Sequence, residues 1–104
     1  MLVLPTKKKW FDMILSGEKL VEYRDIKPYY TTRFKNIGLI DDNGKLTDNI
    51  VQVLFRNGYS NDSPSFIADV SLDVGTAFPR WCDELGKIYY RLKVLKISDV
   101  KGVN

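Results

Sequence analysis

The sequence predicts an α+β fold, mainly β: a small mixed β-barrel of five or six strands, with one amphipathic N-terminal helix and short helical turns. Three observations carry this expectation. Several segments alternate apolar and polar residues with period two. One segment, between Thr6 and Gly17, has apolar residues at helical spacing. A long C-terminal strand changes the phase of its alternation midway, as a strand does where it bulges or bends around a barrel corner.

Met1–Leu4 reads as a short first strand. Pro5-Thr6 opens a helix with Thr6 as its N-cap. Trp10, Phe11, Ile14 and Leu15 form its apolar stripe, and Gly17 stands where a helix commonly ends. Leu20–Ile26 reads as a strand with Val21 and Tyr23 on one face and Glu22 and Arg24 on the other. Residues 28–36 fit either a helical turn or a loop. Asp41-Asp42-Asn43-Gly44 is a turn. Ile50–Arg56 is a nearly continuous apolar strand of central type, and Asn57-Gly58 opens a longer loop. In Phe66–Val74, residues 68, 70, 72 and 74 point one way and Asp69, Ser71 and Asp73 the other. Residues 77–86 hold a short helical turn around Trp81. In Lys87–Ile97 the apolar phase runs through Ile88, Tyr90, Leu92 and Val94, then flips to Leu95 and Ile97.

Composition narrows the chemistry. The 104 residues fit a single domain, 1–104, with enough apolar content for a core without disulfide or metal staples. No apolar run approaches the roughly 18 residues of a membrane span. Met1–Pro5 is too short for an export signal, so the expected compartment is cytoplasmic. There is no histidine, and Cys82 is the single cysteine. Ser-His-Asp and Cys-His mechanisms, His-ligated metals and thiolate zinc sites are therefore excluded. No cofactor and no metal is expected, and catalysis would have to use Lys, Arg, Asp, Glu, Tyr or a hydroxyl. The net charge of +3 is unevenly spread: residues 1–36 carry eight basic and four acidic side chains, residues 37–104 eight and nine. Such asymmetry suits a face that attracts an anion, phosphate first. Ordinary surface scatter gives the same numbers.

Two clusters stand out. Lys7-Lys8-Lys9 fills the first helical turn, where the dipole makes each exposed cation unfavourable by about 0.3–1 kcal/mol. Helix N-termini bind anions, and lysines there would reinforce it; a solvated, mildly frustrated helix start is the alternative. Second, Glu22 and Arg24 share a strand face with Lys19 just before them. An ammonium, a carboxylate and a guanidinium together hold polar ligands, and Arg bonds phosphate or a base edge bidentately. The solvent side of an ordinary alternating strand has the same pattern.

Gly17, Lys19, Glu22 and Arg24 spell G-x-K-x-x-E-x-R after a short amphipathic helix, and this resembles the signature of the ASCH domain family. The flanks Lys9-Trp10-Phe11, Ile14-Leu15, Lys27-Pro28-Tyr29 and Arg33 fit it too. So do Phe55-Arg56-Asn57-Gly58-Tyr59 and Gly86-Lys87-Ile88-Tyr89-Tyr90. Residues 38–49 are longer than the family pattern and suggest a loop insertion. The resemblance implies a PUA-like barrel whose cleft holds the Lys, Glu and Arg positions. It also implies binding of RNA, or partnership with translation or transcription machinery. Similar proteins include enzymes that deacetylate N4-acetylcytidine with a Lys-Thr-Glu set, and others with a ribonuclease activity. Lys19 matches the lysine of that set, but Glu22 occupies the threonine position, and a carboxylate does not replace a hydroxyl nucleophile.

The expectation is thus an RNA- or nucleotide-binding module with a basic cleft. Its ligand residues are Lys9, Lys19, Glu22, Arg24, Arg33, Asn57 and Tyr59, with the aromatic Tyr59 placed to stack on a base. The alternative is an enzyme acting on a modified nucleoside or on RNA, with Lys19 and Glu22 as its acid–base pair. Trp10 and Trp81 read as core or barrel plugs, and Cys82 as packed rather than reactive. RNA or a nucleotide is the expected partner, with no membrane and no metal.

Overall fold

The computed structural model describes residues 1–103. It is a small α+β domain, mainly β, with five strands and two helices. The strands are β1 (Leu2–Pro5), β2 (Val21–Asp25), β3 (Val51–Arg56), β4 (Ser65–Thr76) and β5 (Ile88–Lys101). They form one mixed sheet in the order β1-β3-β4-β5-β2. β1 runs parallel to β3, and every other pair is antiparallel. The expected barrel does not form. β1 and β2 end the sheet on opposite sides and do not pair, so the sheet stays open.

Helix α1 (Lys8–Leu15) follows β1, and helix α2 (Pro28–Asn36) follows β2. The ambiguous segment 28–36 is helical because Pro28 opens the first turn, where its missing N–H costs nothing. Thr6 is not the cap of α1. Lys7 takes that position without a side-chain cap, and the Thr6 hydroxyl donates to the Leu4 carbonyl. Among the described residues no helix is long and apolar enough to cross a membrane.

Alternation decides the core. Val53 and Phe55 of β3, residues 66, 68, 70 and 72 of β4, and Tyr90 and Leu92 of β5 are buried with Phe11, Ile14 and Phe34 from the helices. The phase flip in β5 is a bulge: Val94 pairs with Val70 but Lys96 pairs with Asp69, so Leu95 is the extra residue. It returns Ile97, opposite Ala68, to the core face. Asp41 closes the 41–45 turn by accepting from the amides of Asn43 and Lys45. A single bridge, Ile40 to Leu46, is the only ladder pairing within 38–49.

Candidate functional site

The site begins with an inverted strand. The sequence leaves open whether the Glu22 and Arg24 face of β2 lines a cleft or meets solvent. Glu22 pairs in register with Leu92 and Arg24 with Tyr90, both on the core face of β5. The charged face of β2 is therefore turned inward, and Val21 and Tyr23 are half-buried on the other side. Gly17 makes this entry possible. Its φ of +85° ends α1, its N–H donates to the Ile14 carbonyl, and the Lys19 amide donates to Met13. The chain then turns Lys19 beneath Trp10.

Lys19 is 1% exposed and Glu22 4%. Such burial of charge is tolerated only with partners, and the partners are complete. The Lys19 ammonium lies 2.9 Å from Glu22 Oε1, donates to the Trp81 carbonyl at 2.8 Å, and sits 4.0 Å from the Trp10 ring centre. Three contacts match its three N–H donors. Glu22 Oε1 also accepts from the Tyr23 amide, and Oε2 accepts from Arg24 at 2.8 Å. Arg24 further donates to Thr6 Oγ1 at 3.1 Å and to the Tyr30 hydroxyl at 3.2 Å. Three of the five guanidinium N–H groups are thus engaged within the described residues, and two have no partner among them.

Burial pushes the Lys19 amine below the usual lysine pKa, and the Glu22 carboxylate offsets this only in part. For Arg24 burial also opposes the charge, but Glu22 and the Tyr30 hydroxyl outweigh it and hold the pKa above the ordinary arginine value.

A half-open cleft of about 310 Å³ lies over this floor. Trp10, Tyr23, Trp81 and Tyr89 give it aromatic walls. The 77–87 connection forms one side. It is tied down by Lys19 at Trp81, by the Phe78 amide donating to the Tyr23 hydroxyl, and by the Tyr89 hydroxyl donating to the Glu84 carbonyl. The lining is not basic as a whole. Lys7, Lys19 and Arg24 face four carboxylates: Glu22, Asp25, Asp83 and Glu84. At the rim, Lys7 lies 3.6 Å from Asp83, and Lys87 pairs with Asp25 at 2.7 Å.

Of the expected ligand residues, the cleft brings together Lys19, Glu22 and Arg24. Lys9 is exposed, with its ammonium 4.3 Å from the Trp10 ring centre, outside the lining. Arg33 stacks on Tyr29, Asn57 donates to the Thr6 carbonyl, and Tyr59 is 89% exposed in its loop. None of these three lines the cleft. Thr6, Trp10, Trp81 and Tyr89 were missed as site residues. Trp10 sat in a helical apolar stripe and was indistinguishable from core. Trp81 had a signal, since it lies outside any periodic segment among polar neighbours. Cys82 lines the cleft, and its thiol is directed to the Glu84 carbonyl at 3.4 Å. Among the described residues no cluster of three carboxylate or thiol side chains is arranged to hold a metal.

No family model, no curated protein and no solved structure matches this chain.

Proposed function

We propose that the cleft binds a base of RNA or of a nucleotide, with the aromatic walls gripping the planar ring and Arg24 meeting its hydrogen-bonding edge. One observation carries this reading: β2 turns its charged face inward, beneath a cleft walled by two tryptophans, instead of toward water. Departures from local patterning concentrate at functional sites. The cavity volume is at the lower end of the small-ligand range, about 300–1,000 Å³, which suits one nucleoside unit. Because the lining charges nearly cancel, selectivity rests on the base rather than on bulk attraction for phosphate. Lys19 has no donor to spare and Glu22 at most one acceptor site, on Oε2, so they act as positioning residues that fix the Arg24 plane.

The protein's two tryptophans both line the cleft, so their fluorescence reports on it alone. Titration with the four nucleoside monophosphates and with short RNAs is expected to quench that emission saturably. Arg24→Ala should weaken binding about tenfold or more, the cost of losing a charged hydrogen-bond partner. An emission spectrum indifferent to every nucleotide and RNA would sink the reading.

A second reading rests on the buried amine. A lysine of lowered pKa beside a carboxylate suits a general base, and an enzyme acting on an acylated nucleoside or on RNA would use Lys19 with Glu22. Incubation with N4-acylated nucleosides and with RNA tests it. Product that appears with the wild type and vanishes with Lys19→Ala is the expected result, and absence of product from every substrate removes it.

A further inference from the structure

Outside the cleft, the strongest unexplained feature is the outer side of α2. Residues 26–40 contain Lys27, Arg33 and Lys35 and no carboxylate. Among the described residues neither Lys27 nor Arg33 enters an ion pair, whereas Lys7 and Lys87 at the rim of the cleft are each matched to a carboxylate. Two tyrosines sit among these cations. The Tyr29 and Tyr30 rings meet edge to face at 4.9 Å, and Tyr29 is half exposed. The Arg33 guanidinium lies 3.5 Å over the Tyr29 ring, and the Lys27 ammonium 5.6 Å from Tyr30. Tyr30 also accepts from Arg24, so this surface is continuous with the cleft floor.

We infer that the α2 surface formed by Lys27, Tyr29 and Arg33 carries the backbone and a neighbouring base of a single-stranded RNA whose target base occupies the cleft. This rests on the base-binding reading of the cleft and extends it to the strand outside. Unpaired cations beside an exposed aromatic ring are the elements of a single-strand track: cations follow the phosphates, and the ring stacks on any base. Charge complementarity favours a polyanion here over a protein partner, because no acidic side chain on the segment would repel it. The helix dipole, which favours a cation in the last turn, explains Arg33 only in part. Arg33 Nη1 donates to the Tyr29 carbonyl in the first turn of the helix. That role does not account for Lys27, which stands at the opposite end, where the dipole disfavours a cation.

The test compares mixed-sequence RNA octamers with the four nucleoside 5′-monophosphates, on wild type, Lys27→Gln/Arg33→Gln and Tyr29→Ala. The octamer should bind the wild type more tightly than any monophosphate. Its affinity should fall with salt, and the double variant should flatten the log–log slope by about 1.4, near 0.7 for each lost phosphate contact on a single strand. Each variant should weaken the octamer about tenfold while leaving monophosphate affinity within about twofold, as expected of contacts to the strand alone. Lys27→Gln alone, at an exposed helix cap, guards against a folding defect and should still lower the slope. Unchanged octamer affinity and slope in all three variants, with monophosphates still bound, overturns the strand surface and leaves the cleft intact. Failure of the wild type to bind either probe overturns both.

Discussion

The Glu22 carboxylate is the joint of the site: it touches the Lys19 ammonium, the Arg24 guanidinium and a backbone amide at once. Removing it strands two buried cations. Glu22→Ala should cost about 3–5 kcal/mol, measured by urea unfolding, because uncompensated buried charge is more costly than an absent pair. A triple exchange, Lys19→Met/Glu22→Leu/Arg24→Met, should recover most of that stability and bind nothing. If the triple variant is as unstable as Glu22→Ala, the ion pairs are net stabilising and this account of the cluster is wrong. Lys19 also makes a pH prediction. Its folded-state amine releases its proton below the unfolded value of 10.5. Between those two values the unfolded chain holds more protons, so stability must rise with pH across that window. Wild type should therefore gain stability relative to Lys19→Met as pH climbs toward 10.5, in paired denaturation curves. A falling difference contradicts the burial argument.

At the scale of elements, period two was readable in β2, β4 and β5, and so was the slip at Leu95, because side-chain alternation is a local property; β1 and β3 read only as apolar runs. Which face of β2 turns inward was not readable. Glu22 and Arg24 have the signature of a solvent face; local partners (Lys19, each other and Tyr30) match their charges, and two contacts distant in sequence, Thr6 on Arg24 and Trp81 on Lys19, complete the cluster. Closure into a barrel was unreadable for a similar reason, since it depends on whether the two outer strands meet. Lys19, Glu22 and Arg24 came from one short motif and fell together. Arg33, Asn57 and Tyr59 were assigned from flanking pattern, and the fold carries them elsewhere. The turn after α1 gives an element-scale prediction. A Cβ at position 17 meets no neighbour, so Gly17→Ala is limited by backbone strain alone. With φ at +85° the expected cost is about 1–2 kcal/mol. Since the same turn aims Lys19, base affinity should drop alongside the melting temperature. Loss of stability without loss of affinity would show that the turn only ends the helix.

Over the whole molecule, one apolar layer between the sheet and the two helices sustains everything above. Phe66 is its hub, fully buried with its ring 4.9 Å from Phe11 and 5.3 Å from Phe55. Phe66→Ala should cost about 3–5 kcal/mol, a large share of the roughly 5–15 kcal/mol that holds a domain of this size. Chemical denaturation should place the variant close to unfolding at 37 °C, and a loss below about 1 kcal/mol would show that the core relaxes around the gap.

The β4–β5 ladder joins two long strands through one connection, while the cleft brings Trp81 to Thr6, Trp10 and Lys19 from the other end of the chain. Closing long loops is entropically slow. The hairpin should accordingly nucleate the chain's collapse, with the cleft completed only on the downhill side of the barrier. Stopped-flow traces should show Arg24→Ala and Glu22→Ala hastening unfolding while refolding proceeds at the wild-type pace.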